Sequence, residues 1–264
     1  MKKKILTLAA VFAVSVPVLA ACGTSTDSGE SQQTTAGTVT SSTTASTTTA
    51  ASTTSVTETK STETSGSDVN PYSWLGLQDM PKCNYLDIIS TGHYIQVSDL
   101  TALGITIEQT EAVDGVNTYT GNQNTRTYSV DGKILSITEA TKNYSESDIS
   151  SMIETAKENQ EKAMAEGTDT SGRNFVGTGK GAIPGLENDT VEYEYYEYDY
   201  PDGKEAGTEM TERYYMKDGD VYAIYEKAAL GEAEIESLKV IKSISGDIPA
   251  GTFDLPDLSG YTKL

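Results

Sequence analysis

The sequence is poor in the side chains that most enzymes use for chemistry. It contains one histidine and two cysteines among 264 residues. Covalent active sites commonly combine a nucleophile, a base and a group that orients the base. Cys83 and His93 would supply only two of these three roles, and no oxyanion motif accompanies them. We therefore expect Cys83 to be an inert core cysteine and the pair not to be catalytic.

Motifs for cofactors and metals are also missing. The chain has no GxSxG, HExxH, Walker or GxGxxG motif and no zinc-type cluster of cysteine and histidine. The acidic turn at Asp218-Gly219-Asp220 lacks the ligand spacing of a calcium loop. We expect a protein without catalytic residues, cofactor or metal site, which acts by binding.

Basic residues are scarce relative to acidic ones. The chain has 19 Lys and Arg against 39 Asp and Glu, a net charge of −20. The first 21 residues hold three lysines and no acid, so the remainder carries 16 minus 39, or −23. This charge disfavours nucleic acid and anionic lipid surfaces as partners. It keeps an exported protein soluble and favours basic proteins or cations as partners.

The amino-terminal segment has the order of a secretory signal. Three lysines precede an apolar run from Ile5 to Val18, which is too short for a typical membrane-spanning helix. The run ends at Leu19-Ala20-Ala21-Cys22, which resembles the lipobox of bacterial lipoproteins. That resemblance implies a signal peptide of residues 1–21, a diacylglyceryl group on Cys22, and a lipid anchor at the extracytoplasmic face of the cell membrane. The alternative is an ordinary secreted protein with a chance cysteine.

Large apolar residues are almost absent from residues 23–68. Ser, Thr, Ala and Gly dominate this stretch, in which Val39 and Val56 are isolated. Such a segment cannot bury enough surface to offset the entropy of ordering, so we predict a disordered tether over residues 22–68. Flexible-chain scaling gives it a reach of roughly 35–40 Å. Residues 69–264 would then form a single folded domain.

One segment has the periodicity of an amphipathic helix, from about residue 146 to residue 166. Ser145 with Asp148 three residues later indicates a capping box. The apolar residues fall on one stripe, which predicts that the helix packs on a core. The stripe consists of Ile149, Met152, Ile153, Ala156, Ala163 and Met164. Residues 228–244 fit the helical and strand periods equally poorly, so both readings stay open there.

Two similar stretches predict tight β-hairpins. Residues 126–137 and 213–224 share the pattern R-x-Y-x-x-D-G-x-[IV]-x-x-I, through duplication or independently. The central Asp-Gly pair supplies the positive φ angles of a two-residue turn, which fixes the register. The predicted cross-strand pairs are Tyr128 with Leu135, Arg126 with Ile137, Tyr215 with Tyr222 and Arg213 with Ile224. The predicted fold class is therefore α+β, an open antiparallel β-sheet or half-barrel packed against one main amphipathic helix.

Tyrosine is concentrated in residues 191–200, VEYEYYEYDY. Strict alternation would leave both faces of such a strand mixed, whereas a β-bulge at Tyr195 and Tyr196 would put all five tyrosines on one face and the acids on the other. Core packing and a wet aromatic concavity are both consistent with this face, since buried phenol hydroxyls need partners. The candidate ligand-binding residues are Tyr193, Tyr195, Tyr196, Tyr198, Tyr200, Tyr215 and Tyr222.

The carboxyl-terminal stretch suggests a family. Residues 237–256, SLKVIKSISGDIPAGTFDLP, followed by Gly260-Tyr261, resemble the closing strand and tail of LolA-like proteins, the lipoprotein-carrier superfamily. The resemblance implies an antiparallel half-barrel wrapped against helices, with an apolar concave face that holds acyl chains. Lipid or another apolar small molecule is then the expected ligand. The alternative hypothesis is an acidic module of the cell envelope that binds basic proteins or cations, and an enzyme is the least favoured reading.

Overall fold

The computed structural model describes residues 69–186, 190–201, 208–230 and 233–264. The predicted signal peptide, Cys22 and the predicted tether lie outside these residues. The helices among them are a 3₁₀ helix (Ser73–Leu75), α1 (Asn84–Ile89) and α2 (Ser150–Glu166). The strands are β1 (His93–Ala102), β2 (Ile105–Asp114), β3 (Asn117–Gly121), β4 (Thr125–Val130), β5 (Lys133–Thr138), β6 (Asn143–Asp148), β7 (Asn174–Gly181), β8 (Tyr193–Asp199), β9 (Thr208–Lys217), β10 (Asp220–Leu230), β11 (Ala233–Ser245) and β12 (Thr262–Lys263).

These strands form one sheet in the order β12-β6-β5-β4-β3-β2-β1-β11-β10-β9-β8-β7. The adjacent strands β1 and β11 lie in the middle of the sheet. From β1 the order runs through β2, β3, β4 and β5 to β6 on one side, and from β11 it runs through β10, β9 and β8 to β7 on the other. Helix α2 connects the two halves along the chain, and the pairing of β1 with β11 joins them in the sheet. The pairs are antiparallel except β12 with β6, which is parallel, so the sheet is mixed.

The predicted α+β class with one main amphipathic helix is wrong. The domain is mostly this single mixed sheet, with α-helices of 6 and 17 residues. Helix α2 exists, but it buries only Ala163, and Met152 of its apolar stripe is 40% exposed. The predicted capping box is also wrong, because residues 143–148 pair with β5 as strand β6. Asp148 instead accepts a hydrogen bond from the backbone N–H of Ser150 at 2.8 Å.

The two Asp-Gly hairpins form, with different outcomes for register. In β4–β5 the predicted pairs Tyr128 with Leu135 and Arg126 with Ile137 are confirmed. In β9–β10 the turn residues Asp218 and Gly219 have φ of 53° and 82°, as a two-residue turn requires. The register then shifts between Val221 and Ala223, so the predicted pairs are wrong by one residue. The observed pairs are Tyr215 with Ala223 and Arg213 with Tyr225.

The bulge predicted in VEYEYYEYDY is wrong. Strand β8 pairs with β9 without interruption from Glu194 to Asp199, and the irregularity of this region lies in β7, between Phe175 and Gly177. The side chains of β8 therefore alternate strictly between the faces. Tyr193 and Tyr195 lie on one face, and Tyr196, Tyr198 and Tyr200 lie on the other. Tyrosines on both faces of this strand can be buried, because hydrophobic clusters cover both faces of the sheet here.

Three hydrophobic clusters form the core of the described domain. The largest packs the 3₁₀ helix and α1 against one face of β8–β10, through Trp74, Leu86, Tyr198, Tyr214 and Ile224. We call this the helix-side face and the other the opposite face. A second cluster lies on the opposite face and includes Tyr193, Tyr215, Ala223, Tyr225 and Leu238. A third joins Tyr128, Leu135 and Ile137 to Leu258 and Tyr261 of the carboxyl-terminal tail.

Candidate functional site

A small cavity lies on the helix-side face, beneath α1 and the 3₁₀ helix. Its volume is about 60 Å³. The 3₁₀ helix and α1 contribute Trp74, Leu75, Tyr85 and Ile89, and the sheet contributes residues of five strands. Unlike the apolar concavity expected from the sequence, this cavity has charged side chains in its wall. They are Glu111, Arg173, Glu212, Glu226 and Lys239.

Strand alternation aims these side chains into the cavity. Glu212 on β9 stands directly opposite Glu226 on β10, so both point to the same face. Lys239 on β11 is opposite Ile224, and Glu111 on β2 is opposite Gln96 on β1. The cavity thus combines charges from both halves of the sheet, and the pairing of β1 with β11 brings these halves together.

Arg173 and Glu212 form a buried ion pair. Arg173 Nε lies 2.8 Å from Glu212 Oε2, and the two side chains are 7% and 3% exposed. Arg173 Nη1 donates to the Leu75 carbonyl at 2.7 Å, and the Tyr200 hydroxyl donates to Glu212 Oε2 at 2.9 Å. Burial acts to raise the pKa of Glu212, but the charge of Arg173 and these hydrogen bonds outweigh burial, and the pKa is lowered. Glu212 is therefore an ionised acceptor with its partners in place.

Lys239 and Glu111 form a second buried pair. Lys239 Nζ is 3.5 Å from Glu111 Oε2, and the side chains are 8% and 5% exposed. The other oxygen, Oε1, accepts a hydrogen bond from the Tyr94 hydroxyl at 3.2 Å. The two residues are 128 positions apart in the chain. Their contact depends on the same β1–β11 pairing.

Glu226 differs from the other two acids. Its Oε2 accepts a hydrogen bond from the Ser237 hydroxyl at 3.0 Å, and no Lys or Arg of the described segments forms an ion pair with it. Burial, followed by the charge of Glu212 opposite, raises the pKa of Glu226. With two bases and three acids, the fully ionised cluster would carry 2 minus 3, or −1.

The two reactive residues singled out from the sequence, Cys83 and His93, have different surroundings. Cys83 is buried, as predicted, and burial raises the pKa of its thiol to about 11, which keeps it protonated at neutral pH. His93 is exposed, and its Nδ1 lies 2.9 Å from an Asp114 oxygen. Within the described ranges, no group of three or more His, Cys, Asp and Glu side chains could hold a metal ion.

None of the seven tyrosines predicted to bind a ligand lines the cavity. Tyr198 and Tyr215 are fully buried, on different faces of the sheet. Tyr193 and Tyr222 stack on the opposite face with their ring centroids 5.7 Å apart, and Tyr195 packs on Tyr215 at 5.4 Å. Tyr196 packs against the largest cluster beside Phe175. Two of the seven tyrosines contact residues of the cavity wall: the Tyr200 hydroxyl bonds to Glu212, and the Tyr198 ring packs on Tyr214.

Sequence reasoning missed the charged residues of the cavity. A signal was present, since Glu226 and Lys239 each interrupt a mainly apolar stretch of a strand, in AIYEKAAL and ESLKVI. A charge at such a position marks a polar site inside a strand pattern. The large surplus of acids in the sequence hid it, because most of the other acids among the described residues are exposed.

Two further observations bear on identity. No helix among the described residues has both the length and the apolar character needed to cross a bilayer. The chain matches no protein-family model and no curated protein.

Proposed function

We propose that residues 69–264 form a non-catalytic binding module and that the helix-side cavity is its ligand site. The observation that supports this most directly is the burial of charged side chains around a cavity of about 60 Å³. A buried ion pair costs desolvation energy and is often no more stabilising than apolar residues of the same volume. A wall that served only as core would be built more stably from aliphatic side chains.

The cavity favours a small polar ligand over an acyl chain. Its wall combines aromatic and aliphatic residues with a few charged groups, a combination typical of small-molecule sites. An acyl chain would desolvate Glu226 and its neighbours without replacing their hydrogen bonds, which is unfavourable. We therefore narrow the expected ligand from a lipid tail to a small molecule, or part of one, that carries polar groups.

A paired substitution separates a binding role from a structural one. Lys239→Met with Glu111→Leu and Tyr94→Phe replaces the buried pair, and the hydroxyl that donates to Glu111, by apolar side chains of similar size. We expect the free energy of unfolding to be unchanged or to rise by about 1–4 kcal/mol. The mass of any small molecule that co-purifies with the mature protein from an envelope extract, read by native mass spectrometry, should disappear.

An exposed ion pair provides the matched control. Lys263 Nζ lies 3.2 Å from Glu146, with side chains 55% and 35% exposed. Lys263→Met with Glu146→Leu should leave the bound mass in place. If the Lys239 and Glu111 variant instead loses several kcal/mol of stability and keeps its bound mass, the pair is structural and the helix-side cavity is not the ligand site. If the wild-type protein carries no bound mass, the binding proposal fails.

The proposed location is the extracytoplasmic face of the cell membrane, with Cys22 as the lipidated residue. The lysines at positions 2–4, the short apolar run and the lipobox-like Leu19-Ala20-Ala21-Cys22 support it. Cys22→Ala should abolish partitioning of the protein into a detergent phase. Unchanged partitioning of this variant would contradict lipidation at Cys22.

A further inference from the structure

The charged side chains of the described residues around the cavity leave one carboxylate without a cationic partner. Arg173 is engaged by Glu212 and Lys239 by Glu111, at 2.8 Å and 3.5 Å. Among the described residues, Glu226 has only the Ser237 hydroxyl as a hydrogen-bond partner, at 3.0 Å. An anionic ligand would have to displace one of the two paired carboxylates, whereas a cation would complete the third pair. The local charge balance therefore selects for a positive group.

Aromatic rings make up much of the remaining wall. Trp74, Tyr85, Tyr94 and Tyr214 all line the cavity. Burial raises the pKa values of Tyr85, Tyr94 and Tyr214, so their phenols stay neutral. Neutral aromatic rings attract cations that lie within about 6 Å of the ring centre, and most strongly in desolvated sites. Rings and a carboxylate together are the chemical environment that suits an organic ammonium group.

The size of the cavity limits the cation. A volume of about 60 Å³ exceeds what one water molecule needs and is well below the roughly 150 Å³ that accommodates benzene. A bare metal ion is disfavoured, because the described residues offer no group of three ligands for one. The volume suits an ammonium group with a few heavy atoms.

We propose that the cavity binds a small primary or methylated ammonium group, which pairs with Glu226 and contacts the surrounding aromatic rings. This rests on the proposed function, since it names the chemistry of the ligand for the same site. The ammonium replaces the proton that Glu226 holds at acidic pH. The charged and polar groups that face Glu226 are Glu212 from β9, Ser237 and Lys239 from β11, Arg173 ahead of β7 and Tyr200 directly after β8.

The pH dependence of binding follows from this exchange. Below the raised pKa of Glu226 the carboxyl is neutral and its attraction for an ammonium group is lost. Affinity should therefore be weak at acidic pH, rise as Glu226 ionises, and level off above that pKa. An affinity that stays constant or increases towards acidic pH would overturn the proposal.

The test uses the mature full-length protein and three probes of similar size, namely methylammonium chloride, methanol and sodium acetate. Binding is followed by the shift of the Trp74 indole N–H resonance at constant ionic strength. Methylammonium should give a saturable shift, and Glu226→Gln should weaken its affinity by roughly tenfold or more. Glu234→Gln is the matched control on the same hairpin, because Glu234 is 63% exposed and pairs with Lys227.

The outcomes distinguish this inference from the proposed function. Saturable binding of acetate or methanol without methylammonium binding would overturn the ammonium assignment and leave the cavity as a ligand site. Equal affinity of wild type and Glu226→Gln would also overturn it. Thermal unfolding of Glu226→Gln at or above the wild-type temperature shows that weaker binding does not arise from a damaged fold. The proposed function itself is tested separately, by native mass spectrometry of any small molecule that co-purifies with the protein.

Discussion

Tyr198 in β8 and Tyr200, the residue directly after this strand, differ in how their hydroxyl groups are satisfied. The Tyr200 hydroxyl donates to Glu212 at 2.9 Å. The Tyr198 hydroxyl is buried and has no hydrogen-bond partner among the described residues. A buried polar atom without a partner costs desolvation energy that is not recovered. The same phenol group is therefore stabilising at one position and a cost at the other, two residues away.

We predict opposite effects for Tyr198→Phe and Tyr200→Phe. Tyr198→Phe should leave the free energy of unfolding unchanged or raise it by up to about 1 kcal/mol, because it removes an unpaired hydroxyl. Tyr200→Phe should lower it by roughly 1.5–3 kcal/mol, because it removes a hydrogen bond to an ionised carboxylate. Urea unfolding at neutral pH measures both, and each variant controls for the other. Equal losses would contradict the assignment.

For single residues, the sequence predicts whether a side chain is buried better than it predicts which other side chain it contacts. The burial of Cys83 follows from its apolar neighbours. The contact of Lys239 with Glu111 has no local signal, because it joins residues 128 positions apart through the pairing of two distant strands. The tyrosines of VEYEYYEYDY were chosen as candidates because they are concentrated in one stretch, but they are divided between the two faces of the sheet. The residues of the cavity are dispersed over strands from both halves.

For the strands and helices, the Asp-Gly turn residues predicted the hairpins correctly, whereas the strand register was predicted less well. The same Asp-Gly turn produces a regular hairpin in β4–β5 and a shifted one in β9–β10. An extra residue at Tyr222 is accommodated because Tyr222 packs beside Tyr193 on the opposite face. Apolar periodicity misled for α2, since a stripe that includes a 40% exposed Met152 buries little.

The carboxyl-terminal tail is held to the β4–β5 hairpin by Glu139. One oxygen, Oε2, accepts hydrogen bonds from the Tyr261 hydroxyl at 2.6 Å and from Lys142 Nζ at 2.8 Å. The other, Oε1, pairs with Arg126. The hydrogen bonds from Lys142, Tyr261 and Arg126 lower the pKa of Glu139 to about 2. The ionised form of Glu139 therefore fastens the tail.

We predict that this attachment fails in acid. Because the folded pKa lies below the ordinary value of 4.5, the contribution of Glu139 is complete above pH 4.5 and is lost as pH falls towards about 2. The ring resonances of Tyr261 should report the loosening over that range. Glu139→Gln should show the loosened spectrum already at neutral pH. Glu108→Gln, which removes a 2.7 Å contact with Lys242 instead, should not. A Glu139→Gln spectrum that matches wild type throughout would refute the role.

Across the whole domain, helix α1 is tied to the β9–β10 turn. Its N-cap residue, Cys83, makes no capping hydrogen bond through its side chain. Asp220 takes that role from 135 residues away, since its Oδ1 accepts the backbone N–H of Tyr85 at 2.8 Å. The same oxygen accepts the N–H of Val221 at 2.9 Å. A six-residue helix is too short to persist alone in water, so this long-range cap helps to define it.

We predict that Asp220→Ala lowers the free energy of unfolding by about 1–2 kcal/mol, the usual cost of losing an N-terminal cap. Asp220→Asn retains an acceptor oxygen and should lose much less. Hydrogen exchange of the Tyr85 amide should accelerate in the alanine variant and stay near wild type in the asparagine variant. Unchanged exchange in Asp220→Ala would exclude the capping role.

The pairing of β1 with β11 has a consequence for how the chain becomes folded. A chain that emerges amino terminus first presents β1 and its hairpin partner β2 long before residues 233–245 are made. Until then, one side of β1 is an open edge with unpaired backbone groups, a known template for association with other chains. Contacts this distant in sequence also slow folding. We therefore expect chains that end before β11 to aggregate, and the nascent protein to depend on protection of β1 until β11 has been made.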